Sequence, residues 1–83
     1  MSQVIYLTSE GLQKLKNELQ FLQTEKRQEI AAKLKEAISY GDLSENSEYE
    51  EARNEQAQVE LRIAEIEDQL KRVEIIKEED IKK

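Results

Sequence analysis

The feature that most constrains the fold is a pair of apolar seams that approach a single central glycine from both ends of the chain. Within each seam, apolar residues recur at alternating spacings of three and four, the heptad pattern of helices that pack side by side. Between the seams lies Gly41, one of two glycines in a chain of 83 residues without proline. A glycine there can end a helix in a left-handed turn, so the pattern predicts two long helices joined at Gly41.

The first arm, residues 8–40, contains one irregularity. Thr8 or Ser9 can cap its start, because either hydroxyl can accept a bond from a first-turn amide. The regular seam positions are Leu12, Leu15, Leu19 and Leu22. The next position is the polar Lys26, after which the seam resumes one residue late at Ile30, Leu34 and then Ala37 or Ile38.

The second arm, residues 47–76, is more regular. Four N-cap residue types precede it and leave the choice of cap open: Asp42, Ser44, Asn46 and Ser47, the last of which starts a capping-box pattern. Its seam positions are Tyr49, Ala52, Gln56, Val59, Ile63, Ile66, Leu70 and Val73. Their spacing alternates between three and four throughout and favours a left-handed supercoil.

The two seams agree on one register. In an antiparallel hairpin, the position numbers of facing residues have a constant sum. That sum is 85 for Leu15–Leu70, Leu19–Ile66 and Leu22–Ile63, and 86 for Ile30–Gln56, Leu34–Ala52 and Ala37–Tyr49. Half of either sum falls at residues 42–43, beside the predicted turn.

The predicted fold is all-α: a long antiparallel two-helix coiled-coil hairpin over residues 1–76, with an acidic tip at residues 41–47. Residues 77–83 are expected to be a charged tail or the start of a connector. The apolar residues of the open end either dock a second domain or pack on one another: Val4, Ile5, Tyr6, Val73, Ile75 and Ile76.

Charge is concentrated at the tip. The chain carries a net charge of −6, and residues 41–51 contain five carboxylates and no lysine or arginine. The absence of cysteine and histidine excludes disulfides and thiolate or imidazole metal sites, so any metal ligands must be oxygens, which favours Mg²⁺. No stretch has the length of a membrane span, and we expect a cytoplasmic protein with no membrane partner.

Asp42 and Glu45 are three residues apart, so a helix-like turn would place both carboxylates on one face. Such a pair can supply one or two ligands to Mg²⁺, although acids at a helix start also serve capping and the helix dipole. A basic band in mid-arm has two explanations as well. It either binds RNA or another polyanion or consists of solvated faces with ion pairs; its members are Lys26, Arg27, Lys33 and Arg53, with Lys35 and Arg62 nearby.

The tip string from Gly41 to Tyr49, followed by Ala52 to Gln56, closely resembles the tip of the bacterial Gre-type transcription elongation and transcript cleavage factors. The resemblance extends over the whole chain and corresponds to the N-terminal coiled-coil domain of those factors. It implies a hairpin that enters the secondary channel of a backtracked bacterial RNA polymerase. There the tip carboxylates help to hold Mg²⁺ while the polymerase's own centre cleaves the nascent RNA 3′ end.

By motif position, the resemblance assigns Asp42 and Glu45 as the assisting carboxylates and as ligands of an Mg²⁺ that is shared with polymerase and is not stably bound by the chain alone. It places Gly41, Leu43, Asn46, Glu48 and Tyr49 in a supporting signature, and the basic band against RNA or polymerase. It implies an accessory factor, not an enzyme, with transcription-associated DNA binding.

The FKBP-like second domain of that family has no counterpart in the chain, which is either an excised domain or a natural short form. Two alternatives stay open: a structural coiled-coil adaptor, and an inhibitory Gre-like hairpin without cleavage activity.

Overall fold

The computed structural model describes residues 3–75, which fold into two helical arms. One short strand precedes the first arm and another follows the second. The first arm follows strand β1 (Ile5–Leu7) and consists of α1 (Ser9–Phe21), a π-helical turn (Leu22–Lys26) and α2 (Arg27–Ser39). A 3-10 turn (Leu43–Glu45) precedes the second arm, α3 (Ser47–Lys71), and strand β2 (Val73–Ile75) follows it. The long axis measures 59 Å.

The two arms pack against each other along the predicted seams, which confirms the helical hairpin. The buried apolar residues all occupy seam positions: Ile30, Ala37, Ala52, Val59, Ile63 and Ile66. The structure also decides between Ala37 and Ile38, since Ala37 is 2 % exposed and Ile38 is 53 % exposed. Leu19, Leu22 and Leu34 pack against the cluster of Ile30, Val59 and Ile63. The core is therefore one side-chain layer thick.

The π-helical turn explains the irregularity in the first seam. The backbone N–H of Arg27 bonds to the carbonyl of Leu22, five residues earlier, so the turn takes up one residue more than an α-helical turn. Leu22 and Ile30, eight residues apart, consequently both reach the second arm. The change in register sum from 85 to 86 corresponds to this extra residue.

The ends of the first arm follow its local sequence. Thr8 is the N-cap, and its hydroxyl accepts a bond of 3.0 Å from the Gly11 N–H. At the other end Gly41 has φ +79°, in the left-handed region, and its N–H bonds to the Ile38 carbonyl at 3.1 Å. Gly41 therefore ends the arm as predicted, because a residue without Cβ adopts this conformation at little cost.

The open end departs from a purely helical hairpin. Helix α3 ends at Lys71, before the predicted bound of about 76, and β2 pairs in parallel with β1 through Ile5–Val73, Tyr6–Glu74 and Leu7–Ile75. The β-branched and aromatic residues of both segments favour extended backbone there. The termini thus contact each other through this strand pair, and the alternative that the open end also docks a second domain stays a prediction. Ile76 and the tail at residues 77–83 lie outside the described residues.

Arg72 connects the second arm to the first strand. Its carbonyl accepts the Ile5 N–H at 2.8 Å. Its guanidinium donates to the Gln3 carbonyl at 3.2 Å and to the Asp68 carboxylate at 2.8 Å. These bonds hold the open end together. The tip lies at the other end of the described molecule, which is 59 Å long.

Candidate functional site at the hairpin tip

The tip is a short connection that reverses the chain between α2 and α3. Two successive residues have positive φ, Gly41 at +79° and Asp42 at +33°. A single 3-10 turn, Leu43–Glu45, follows and is closed by a bond of 3.2 Å from the Glu45 N–H to the Asp42 carbonyl. A non-glycine residue in the left-handed region is strained, so Asp42 needs support from its surroundings.

That support comes from the Asn46 side chain, which forms what we call the amide bridge. Its Nδ2 donates to the carbonyls of Ala37 at 2.6 Å and Gly41 at 3.3 Å. Its Oδ1 accepts the backbone N–H of Tyr49 at 3.1 Å, which makes Asn46 the N-cap of α3. At 9 % exposure Asn46 is the one polar residue among the buried side chains of residues 3–75. One amide thus connects the end of the first arm to the start of the second.

The candidate carboxylates lie outside this buried bridge and face solvent. Asp42 and Glu45 are exposed; Asp42 directly precedes the 3-10 turn in a left-handed conformation, and Glu45 is the last residue of the turn. Because Asp42 lies outside the helical backbone, the placement of both carboxylates on one face stays a prediction. The Ser44 hydroxyl donates to one Asp42 carboxylate oxygen at 2.8 Å. In the described part of the chain, no ion pair involves either residue.

The remaining residues of the predicted signature take different places. Leu43 is an exposed apolar residue at the end of the molecule, and Glu48 is exposed in the first turn of α3. Tyr49 is half-buried; its hydroxyl accepts a bond of 3.1 Å from Arg53, whose guanidinium carbon lies 5.9 Å from the ring centroid. Arg53 is thereby held beside Tyr49, apart from the rest of the basic band.

The donor set suits Mg²⁺ only in part. Carboxylate oxygens are its preferred protein ligands, and Asp42 and Glu45 offer them without a competing cation. Yet residues 3–75 contain no group of three or more aspartates, glutamates, histidines or cysteines placed to hold a metal ion. Among residues 3–75 the tip therefore offers carboxylate oxygens but not a complete metal site.

The sequence analysis missed Tyr40 and Glu36, which lie behind the tip. The Tyr40 hydroxyl donates to the Glu36 carboxylate at 2.9 Å. This bond, and then the negative charge of Glu36, raise the pKa of Tyr40. An acidic groove between the arms is lined by Glu36 and Tyr40 and also by Glu48, Glu51 and Glu55. Their spacing of four residues was the available signal, because such residues meet on one helix face.

The basic band is largely matched by carboxylates of the opposite arm. Lys26 and Lys33 contact Glu55 at 2.8 and 3.0 Å, and Arg27 forms a two-pronged pair with Glu60 at 2.8 Å for both bonds. The hydrogen bonds from Lys26 and then Lys33 lower the pKa of Glu55. This arrangement corresponds to the explanation of solvated faces with ion pairs and leaves little unpaired positive charge for a polyanion.

A further two-pronged pair joins the arms nearer the open end. Arg62 donates to both Glu18 oxygens at 2.7 and 2.8 Å. This hydrogen bonding outweighs the opposing effect of desolvation and lowers the pKa of Glu18. The pair was not predicted as a contact, although Arg62 was noted near the basic band. It adds a cross-arm contact that the register alone does not require.

Comparison with known proteins covers both arms and the tip. The family model described as "Transcription elongation factor, N-terminal" matches residues 5–75. The chain is 58 % identical over 82 residues to transcription elongation factor GreA of Thermoanaerobacter pseudethanolicus, covering 99 % of this chain and 52 % of the relative. It is 57 % identical over 77 residues to GreA of Acetivibrio thermocellus, covering 93 % and 48 %.

Fold and tip together define a helical hairpin with an exposed acidic end. The chain belongs to the family of transcription elongation factor N-terminal domains. It spans about half the length of the curated relatives it matches. These comparisons do not support the expected DNA binding. Across residues 3–75, every helix is too short or too polar to traverse a bilayer.

Proposed function

We propose that this chain is the polymerase-entering hairpin of a transcript cleavage factor. Its partners are bacterial RNA polymerase in a backtracked elongation complex and the nascent RNA 3′ end. The hairpin acts as an accessory factor: it enters the secondary channel and presents its tip, and the polymerase active centre cleaves the RNA. Family membership and the names of the GreA relatives support this role.

The observation that carries the proposal is the exposure of unpaired carboxylates at the end of a narrow, 59 Å long molecule. The smaller dimensions, 26 and 17 Å, suit entry into a channel. Within residues 3–75, neither Asp42 nor Glu45 forms an ion pair, whereas Glu18, Glu55 and Glu60 on the arms are bonded to cations. A tip of this kind can offer ligands to an ion held mainly by another protein.

Asp42 and Glu45 act by bringing carboxylate oxygens to an Mg²⁺ shared with polymerase. When bound there, Mg²⁺ supplies a lowered pKa for the attacking water and neutralisation of charge on the phosphodiester. Ser44 orients one Asp42 oxygen through its hydroxyl, and a single 3-10 turn separates the two carboxylate-bearing residues. Glu50 and Glu51, further along α3, contribute surface charge.

The hairpin alone offers a small docking area, because one thin pair of helices covers little of a partner's surface. We therefore expect stimulation by this chain to require far more protein than a full-length relative requires. Equal potency at matched concentrations would show that the hairpin carries the affinity by itself.

The test is RNA cleavage in stalled, backtracked transcription complexes, with polymerase-free RNA as the control. The proposal predicts cleavage that depends on both the chain and polymerase, and none of free RNA. An adaptor or an inhibitory hairpin would bind polymerase without raising cleavage, even at saturating concentration, and that result would overturn the proposal.

A further inference from the structure

The amide bridge has a second consequence that concerns the carboxylates. Asn46 follows Glu45 directly in the chain, and its Nδ2 bonds to the carbonyl of Gly41, which directly precedes Asp42. The segment that bears both carboxylates is thus a small loop closed at its two ends by one side chain. The bond to Ala37, at 2.6 Å, anchors this loop to the last turns of α2.

Both the Nδ2 donors and the Oδ1 acceptor of the Asn46 side chain have hydrogen-bond partners, which distinguishes Asn46 from an ordinary helix cap. An N-cap needs only an acceptor for an amide of the first turn, and Asp or Ser would serve α3 equally well. Here both Nδ2 hydrogens also have acceptors, and only an amide side chain provides an acceptor and two donors at this size. Capping alone therefore does not account for asparagine at this position.

We propose that Asn46 is the positioning residue of the tip: through its two donor bonds it fixes the direction in which Asp42 and Glu45 present their carboxylates. This role rests on the proposed function. Without the bond to Gly41, Asp42 would keep its positive φ only through the 3-10 turn and the Ser44 bond, both within the tip segment itself. The two carboxylates would then sample separate directions, and a shared ion would have to order them on binding.

Two substitutions separate the donor bonds from the cap. Asn46→Asp keeps the size and the acceptor for the Tyr49 N–H but replaces Nδ2 by an oxygen that faces two carbonyls. Asn46→Ser also keeps a capping oxygen and adds no charge, but it is too short to reach the first arm. Asn54 is exposed on α3, so Asn54→Asp and Asn54→Ser are matched controls.

The first readout uses the free chain and needs no polymerase. Amide hydrogen exchange of Glu45 reports its bond to the Asp42 carbonyl, and exchange of Tyr49 reports the cap. In both Asn46 variants we expect Glu45 exchange to accelerate about tenfold or more relative to Tyr49, with helicity retained. The Asn54 variants should leave both rates unchanged.

The second readout is the cleavage assay, resolved into two parameters. Loss of a group that orients metal ligands costs about 10- to 100-fold in affinity or activity. We expect the Asn46 variants to lose about tenfold of the cleavage rate at saturating protein and to need more Mg²⁺. The protein concentration for half-maximal stimulation should stay the same, because the arms are intact.

The outcomes are distinguishable. Wild-type exchange and cleavage in both Asn46 variants would overturn the positioning role, while an inactive Asp42→Asn in the same assay would leave the proposed function standing. A loss of helicity with a higher half-maximal concentration and an unchanged saturating rate would make Asn46 a structural residue only. If the unmodified chain itself fails to stimulate cleavage, the proposed function falls and the positioning role with it.

Discussion

The middle of the hairpin and its tip differ in whether their charged side chains form ion pairs. In mid-arm, Lys26, Arg27 and Lys33 each contact a carboxylate of the other arm, through Glu55 or Glu60. At the tip, five carboxylates lie within residues 41–51, and in the described part of the chain none of them forms an ion pair. One charged region is internally matched and the other is not.

This difference assigns separate tasks to the two regions. Paired charges on the arms support register and remain solvated, so they contribute modestly to stability. Carboxylates at the tip without an ion pair within residues 3–75 repel one another and contribute little to stability beyond the helix dipole. The arms therefore hold the tip in place, and the proposed function assigns the tip its role.

The comparison predicts that stability depends on the mid-arm core. Ile63 is 3 % exposed, and Ile63→Ala should cost about 2–4 kcal/mol through lost burial and the cavity left behind. In a hairpin with a one-layer core, that loss should appear as a strongly lowered melting temperature by circular dichroism. Leu61→Ala, on the same helix but at a position 64 % exposed, is the control and should be nearly silent.

A deletion in the π-helical turn should raise the stability of the hairpin instead of lowering it. Glu25 is exposed within the turn, and deleting it removes the extra residue while both seam segments keep their phase. We expect the hairpin to gain about 1 kcal/mol, since one residue fewer must be ordered and regular helical bonds replace the turn. Thermal unfolding measures this gain. Deleting Ala32 should destabilise instead, because Leu34 and Ala37 would lose their phase; equal effects of the two deletions would refute this role of the turn.

The smallest expected effect is that of the Glu18–Arg62 pair. Glu18→Gln should cost about 0.5 kcal/mol at pH 7, reduced further by salt, since both side chains are well solvated. Arg62 lowers the pKa of Glu18 in the folded chain. The pair's contribution is therefore complete above the unfolded pKa of about 4.3 and disappears as the pH falls through the lower folded value.

The corresponding measurement is the difference in melting temperature between the unmodified chain and Glu18→Gln as a function of pH. This difference should vanish in acid. Glu25→Gln is a suitable control, because Glu25 is exposed and takes part in none of the ion pairs of residues 3–75. A difference that persists even when the carboxyl is protonated in the folded chain would mean that the glutamate contributes through packing and not through charge.

The hairpin could be predicted from sequence because the apolar residues that specify it recur at regular spacings. Seam spacing and the position of Gly41 are independent, and both place the turn near residue 42. The same spacing revealed that the first seam slips by one residue after Leu22. The spacing did not reveal which backbone feature accommodates the extra residue, because a π-helical turn and a local loop produce the same shift in the sequence pattern.

The tip chemistry was predictable to a lesser depth. Asp42 and Glu45 could be selected by resemblance; both are exposed, and their role as ligands stays a prediction. The amide bridge could not be found, since Asn46 was one of four possible caps and its contact with Ala37 spans nine residues. The strands at the open end were also missed as strands, because three-residue segments leave no detectable alternation.

The central claim is that the tip carboxylates support RNA cleavage by polymerase, and size-conserving substitutions that remove their charge test it most directly. Asp42→Asn and Glu45→Gln preserve size while removing a ligand charge, and Glu51→Gln removes the same charge from a surface position on α3. We measure cleavage in backtracked complexes at saturating protein, together with thermal melting.

Each tip variant should lose at least about tenfold of the stimulated rate, as expected when a metal ligand is removed, and its melting should change by no more than a few tenths of a kcal/mol. Glu51→Gln should retain full stimulation. If Asp42→Asn and Glu45→Gln stimulate cleavage as well as the unmodified chain does, the account is contradicted and the tip carboxylates serve only the helix start.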